Sequence, residues 1–149
     1  GVITLIIGAL LITGCSNKNV EGKLEDLMTK VYEKLPDENK PMMLTNTLVN
    51  AENIEYYLGT SDIQYTEALA SESAVGSIAH SVVLVRAKDG ADIEATKTKI
   101  LDNVDPRKWI CVGVEKEDVI IKNKGNLIIV IIVEDETTRD KLEKGFDNL

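Results

Sequence analysis

A continuous apolar run, LIIVIIV at 127–133, is the feature of this sequence that most restricts its fold. A strand solvated on one face alternates apolar and polar residues, and this run has no polar position. It is therefore predicted to form a central strand covered on both faces. The preceding NKGN at 123–126 is a hairpin turn signal, so residues 119–122 are predicted to form its antiparallel partner.

Other segments supply further strands and helices. IAHSVVLVRA at 78–87 is predicted to form a strong strand, and residues 63–75, of mixed polarity, a further one. Residues 109–114 are interpreted as a strand or an extended segment. Helices are predicted where apolar residues recur at helical spacing and a proline, a glycine or the end of the sequence follows: 24–35, 50–59, 91–105 and 135–149.

The resulting order is α-α-β-β-α-β-β-α. Hairpins joined through a helix predict an α+β domain with a mostly antiparallel four- or five-stranded sheet and helices packed on it. PDENKPMML at 36–44 is interpreted as a loop. Residues 23–149 are interpreted as a single domain.

An uncharged apolar stretch fills residues 1–14. It lacks the polar face of a core helix, and it is shorter than the roughly 20 residues of a membrane span. It matches the apolar part of a secretory signal peptide, with the small residues Thr13 and Gly14 at the cleavage position. No positively charged n-region precedes it, so we expect the sequence to begin inside a leader, with Gly1 as a cloning remnant.

Ile12-Thr13-Gly14-Cys15 resembles the lipobox of bacterial lipoproteins. The resemblance implies cleavage between Gly14 and Cys15 and attachment of a diacylglyceryl group to the Cys15 thiol. Two acyl chains anchor a protein stably, whereas one chain does so only marginally. We therefore expect a signal peptide at 1–14, the lipidated cysteine and a polar tether at 15–22, and an extracytoplasmic domain held at the outer face of the cell membrane.

The charge of the chain restricts its partners. A formal net charge of −8 disfavours nucleic acid, which requires a basic surface. It also disfavours electrostatic adhesion to anionic lipid, so membrane lipid is predicted as a partner only through acylated Cys15. Cations are attracted by such a field, but net charge selects no particular one.

The residues that most often carry chemistry are few. With Cys15 acylated, Cys111 has no disulfide partner, and it is predicted to be a buried small hydrophobe in the apolar WICVGV segment. His80, the single histidine, is predicted to be structural, with Ser81 on the opposite face of its strand. The sequence contains no CxxC, HExxH, phosphate-loop or EF-hand motif, so neither a cofactor nor a metal site is predicted.

Carboxylates are plentiful, but no catalytic pair is predicted among them. A hydrolase needs one carboxyl in an apolar pocket and a second one several ångströms away. The acidic cluster at 115–118 shows no such arrangement. The group at 134–136 begins a helix, where negative charge complements the helix dipole.

Arg107, Lys108 and Trp109 are the candidate binding residues. Two basic side chains beside an indole predict an anion-binding or cation–π corner. In the competing interpretation Pro106 ends a helix, the basic pair complements its C-terminus, and Trp109 packs into the core. Three tyrosines are the other aromatic candidates for a recognition surface, again with core packing as the competing interpretation: Tyr56, Tyr57 and Tyr65.

Three segments carry a family resemblance: EALASE at 67–72, SVVLVRAKDGAD at 81–92 and DPRKWICV at 105–112. Together with the leader they are similar to the domain of unknown function 4358 family, extracytoplasmic lipoproteins found largely in Gram-positive bacteria. The resemblance covers roughly residues 55–149. It implies a secreted, lipid-anchored α+β domain with no assigned activity, cofactor or catalytic residue.

Two classes of function are consistent with these patterns. The first is a non-catalytic module that binds an envelope protein, a peptide or a wall fragment, with an inhibitor or sensor subunit of an envelope complex as a variant. The second is a carboxylate-based hydrolase of an envelope polymer. A deep cleft with perturbed carboxyl groups favours the enzyme, and an exposed apolar patch or groove without them favours the binding module.

Overall fold

Strand pairing organises the domain in the computed structural model, which describes residues 18–149. The lipobox and Cys15, and with them the predicted signal peptide, lie outside the described residues. The helices and strands in chain order are α1 (Leu24–Val31), β1 (Leu44–Leu48), α2 (Ile54–Leu58), β2 (Tyr65–Ser73), β3 (His80–Ala87), α3 (Ile93–Asn103), β4 (Ile120–Lys124), β5 (Leu127–Val133) and α4 (Glu136–Asp147).

The five strands form one antiparallel sheet in the order β1-β2-β3-β5-β4. β4 and β5 form the predicted hairpin, with Lys124 opposite Leu127 and a tight turn at Gly125 and Asn126. All seven residues of β5 are buried, as expected for a strand covered on both faces.

Helices cover both faces of the sheet, and each face has its own apolar core. On one face α1 and α4 pack against alternate residues of β3 and β5, including Val82, Leu84 and Ile129. On the other face α2, α3 and the segment after α3 pack against the residues in between. Consecutive residues of a strand point to opposite faces, so the uninterrupted apolar run of β5 supplies both cores.

The predicted fold class is confirmed, as are the antiparallel sheet and the order of the predicted elements. β1 is an additional strand, which lies between the first two helices and begins at the last residue of the predicted loop. Its sequence LTNTL is largely exposed at the sheet edge and lacks an apolar run. Residues 109–114 form irregular structure rather than a strand, and the Val114 N–H donates to the Pro106 carbonyl at 2.8 Å.

The chain enters the domain at the end of the sheet where β3 ends and β5 begins. The Arg86 guanidinium donates hydrogen bonds to the carbonyls of Val20, at 2.7 Å, and Gly22, at 2.6 Å. The Asn126 N–H donates to Asn19 Oδ1 at 2.9 Å. The last residues of the predicted tether are therefore fastened to the domain. The path from residue 15 to residue 19 spans at most about 14 Å when fully extended.

Among the described residues, no helix has the length and apolar character needed to cross a membrane.

Candidate functional site

A groove of about 510 Å3 lies between the C-terminal end of α1 and the edge strand β1. Its apolar lining includes Met28, Leu35 and Leu44, and its polar lining includes Asn46 and Ser71. Met28 is buried because it lies on the apolar face of α1, and Leu35, in extended backbone beyond the helix, is buried beside it in the same core. The groove combines an apolar floor with a few polar groups, which is the composition of many ligand sites.

A buried chain of hydrogen bonds lies behind the groove. The Tyr32 hydroxyl is 3.0 Å from Ser71 Oγ and 2.7 Å from His80 Nε2. Burial lowers the pKa of His80 to about 4, so the ring is neutral at neutral pH. Burial also raises the pKa of Tyr32, so its hydroxyl keeps its proton. This burial and pairing agree with the predicted structural role of His80.

A second cavity, of about 500 Å3, lies where β3 begins and β5 ends. Its lining includes His80, Ser77 and the first residues of α4. Asp135 caps α4 by accepting hydrogen bonds from the N–H and the hydroxyl of Thr138, and these bonds lower the pKa of Asp135. The acidic residues at 134–136 therefore begin a helix, as predicted.

The predicted corner at 107–109 is divided between the surface and the interior. Lys108 turns inward, where its side chain is 8% exposed, and its Nζ lies 2.7 Å from Glu72 Oε2. The same nitrogen lies 3.9 Å from the centre of the Tyr56 ring, and Tyr57 and Trp109 complete an aromatic surround at 5.1 and 5.2 Å.

Charge balance decides what this corner can bind. Burial lowers the pKa of Lys108, while the charge of Glu72 and its hydrogen bond raise it. Glu72 also accepts a hydrogen bond from Ser81 Oγ at 2.8 Å. The Lys108 charge is thus compensated inside the domain, which leaves little attraction for an external anion.

Arg107 and Trp109 do not join Lys108 in one exposed surface. Arg107 is largely exposed and pairs with Glu115, which is equally exposed. Trp109 is buried in the core on the α2 and α3 side of the sheet. This arrangement agrees with the packing interpretation of the segment.

The prediction that Cys111 is buried is wrong. Cys111 is exposed, with a backbone φ of 62°. The surrounding apolar residues suggested an extended, covered segment, but the backbone after Pro106 turns irregularly and directs this residue to solvent. Among residues 18–149, no group of three or more His, Cys, Asp or Glu side chains is placed to hold a metal ion.

The groove and the second cavity both lie towards the end of the sheet opposite the chain entry. This end also carries the exposed side chains of Met42, Met43 and Ile110. The Met43 carbonyl accepts a hydrogen bond from Ala74, just beyond the end of β2, whereas Arg86 at the entry end pairs with Glu67. The extended chain from Glu67 to Ala74 spans about 23 Å, which separates the two ends of the sheet.

Sequence reasoning missed the groove, because its walls come from α1, β1 and β2, and no local motif marks their contact. The adjacent pair Met42-Met43 in a polar loop was the one local signal of an exposed apolar surface.

The comparisons with known proteins give no match: no family model, no curated protein and no solved structure is similar to the chain. The function of the site is therefore argued from its geometry.

Proposed function

We propose that the protein is a lipid-anchored, extracytoplasmic binding module of the cell envelope with no catalytic role of its own. The anchor is the diacylglyceryl group that the lipobox resemblance implies on Cys15. The bound species is an envelope protein, a peptide or a wall fragment. The resemblance to the domain of unknown function 4358 lipoproteins is part of the same proposal.

One observation supports this proposal: the residues that follow the proposed anchor position are bonded to one end of the sheet, and the groove lies towards the other end. Arg86 and Asn126 hold residues 19–22 at the entry end of the sheet. An anchor at Cys15 then keeps this end within about 14 Å of the membrane surface. The groove and the exposed Met42 and Met43 lie towards the other end of the sheet, which an anchor at Cys15 would leave open to an envelope partner.

The carboxyl groups of the described residues favour binding over hydrolysis. A general acid that works near neutral pH needs a raised pKa. Three carboxyl groups in residues 18–149 have clearly shifted pKa values, and all three are lowered by hydrogen bonds: Asp37, Asp62 and Asp135. The carboxyl groups with clearly shifted pKa values therefore give the hydrolase hypothesis no support.

A thermal-shift panel tests the proposal. The full chain with Cys15→Ser is mixed in detergent with soluble wall fragments, sugars and cationic peptides. A specific ligand at about 100 times its Kd adds roughly 2.7 kcal/mol and raises Tm by several degrees. The proposal predicts such a shift for one class of compound, with the ligand recovered unchanged after prolonged incubation.

Two results contradict the proposal. A ligand recovered in cleaved form makes the protein a hydrolase. If no compound shifts Tm, a photoreactive residue at Met42 is tested on intact cells against the same residue at Asp89, at the entry end. The absence of any adduct specific to position 42 then overturns the binding role.

A further inference from the structure

The outer edge of β1 is open to a further strand. Among residues 18–149, β2 is the only strand that pairs with β1. On either side of β1, the Met43 carbonyl accepts a hydrogen bond from the Ala74 N–H and the Val49 N–H donates to the Ala68 carbonyl, so both residues face β2. Because bonded and non-bonded pairs alternate in an antiparallel ladder, the N–H and C=O groups of Leu44, Asn46 and Leu48 point away from β2.

These outward groups are largely unpaired within the described chain. The Leu48 carbonyl accepts a hydrogen bond from Asn53 Nδ2 at 3.0 Å, whereas no partner is found there for the backbone groups of Leu44 and Asn46. Edge strands are usually protected by Lys, Pro, a bulge or a covering segment. The sequence LTNTL contains no charged residue and no proline, and its register with β2 is regular.

The groove lies on the same side as the side chains of this open edge. Leu44 and Asn46 line the groove and stand opposite Ser73 and Ser71 of β2. A strand added to β1 places every second side chain on this face of the sheet. One such side chain would therefore project over the groove beside Met28 and Leu35, and its volume suits a large apolar residue.

Charge identifies the kind of peptide that fits. Lys40 at the groove forms an ion pair with Asp37 at 2.7 Å. The exposed Glu33 therefore gives the groove lining a net negative charge. The whole chain carries a formal charge of −8, which opposes pairing with a second copy of itself. A basic residue next to the apolar side chain that enters the groove therefore complements the negative charge of Glu33.

We propose that β1 and the groove bind an extended peptide segment of another protein by strand addition. The segment contributes a large apolar side chain to the groove and a Lys or Arg next to it, close to Glu33. The inference rests on the proposed binding function and specifies its ligand class. Main-chain hydrogen bonds provide affinity in this mode of recognition, and the groove provides specificity.

A displayed library of random eight-residue peptides, selected on the full chain in detergent, tests the inference. Asn46→Pro removes an outward N–H without removing a donor to β2, and Asn46→Ala is the matched control that keeps this N–H. Selected peptides should share an apolar residue with an adjacent basic one. Their affinity for Asn46→Pro should be about tenfold or more below their affinity for Asn46→Ala, because both variants lack the Asn46 side chain in the groove and only the proline variant lacks the outward N–H. Glu33→Lys should weaken binding without abolishing it.

Three outcomes overturn the inference. Peptides that bind Asn46→Pro as tightly as the wild type use another surface, and the proposed binding function then stands while the strand-addition mode fails. A library that yields no binder also rejects strand addition, and the proposed function is then decided by its own thermal-shift panel. A dimer in sedimentation that Asn46→Pro dissociates assigns the edge to a second copy of the chain.

Discussion

Lys108 and Glu72 form the most consequential pair at the scale of single residues. Removing one partner of a buried ion pair leaves an uncompensated charge and costs about 3–5 kcal/mol, whereas an exposed pair contributes at most about 1 kcal/mol. We expect Lys108→Met and Glu72→Gln each to lower the free energy of unfolding by about 3 kcal/mol. The double variant should lose much less than the sum.

Urea unfolding of the four proteins measures this cycle, with Arg107→Met at the exposed Glu115 pair as the control. Equal losses for Lys108→Met and Arg107→Met, or additive losses in the double variant, would contradict the buried pairing. The 36 residues that separate Lys108 from Glu72 explain why sequence reasoning identified Lys108 but not its partner.

Burial of His80 makes the free energy of unfolding depend on pH between about 4 and about 6.5. Its pKa is about 6.5 in an unfolded chain and about 4 in the folded protein. Between these values the unfolded state binds more protons, so the free energy of unfolding should fall by about 3 kcal/mol as pH drops from 7 to 4. Carboxyl groups whose pKa is lowered in the folded protein, such as Asp135, lose their contribution to the free energy of unfolding only at lower pH.

Unfolding in urea at a series of pH values measures the slope, and His80→Gln is the matched variant. His80 is the single histidine of the chain, so the variant should flatten the profile between pH 4 and 6.5. Equal slopes in the two proteins would show that burial of the ring does not control this transition.

At the scale of elements, the close contact of α4 with the end of α1 depends on Gly145. A Cβ at this position would lie 2.0 Å from the Val31 carbonyl oxygen, so alanine would force the two helices apart. Helix propensity favours alanine by about 1 kcal/mol, but overpacking costs typically 1–3 kcal/mol, and here it involves rigid backbone. We expect Gly145→Ala to lower Tm.

Gly76→Ala is the control, because a Cβ there makes only an ordinary contact at 3.5 Å with Ile110. Calorimetry of both variants should show a loss of several degrees for Gly145→Ala and little change for Gly76→Ala. A stabilised Gly145→Ala protein would mean that α4 packs less tightly than described.

The strands and helices differ in how clearly their sequences predict them. β5 is a continuous apolar run and β3 contains the apolar run VVLV at 82–85, so their burial on both faces can be predicted from the sequence. α3 and α4 begin at aspartates that cap them, Asp92 and Asp135, which is a local signal. β1 has no such signal, because an edge strand is stabilised by backbone pairing with a distant partner. The groove could not be predicted for the same reason, since β1 forms one of its walls.

At the scale of the whole molecule, the anchoring proposal predicts an orientation. In a Cys111→Ser background, a fluorophore on Asp89→Cys should lie near the membrane, and one on Met42→Cys should lie far from it. Energy transfer to a short-range acceptor among the lipid headgroups of anchored protein measures both positions. Equal transfer from the two positions would contradict the orientation, because they lie towards opposite ends of the sheet.

Metabolic labelling with a clickable fatty acid tests the central claim most directly. The chain is produced behind a complete n-region in a Gram-positive host, as the wild type and as Cys15→Ser and Cys111→Ser variants. The account predicts that the wild type and Cys111→Ser incorporate the label and sediment with membranes, whereas Cys15→Ser does neither. A Cys15→Ser protein that is labelled like the wild type, or a wild type without label, would contradict the account.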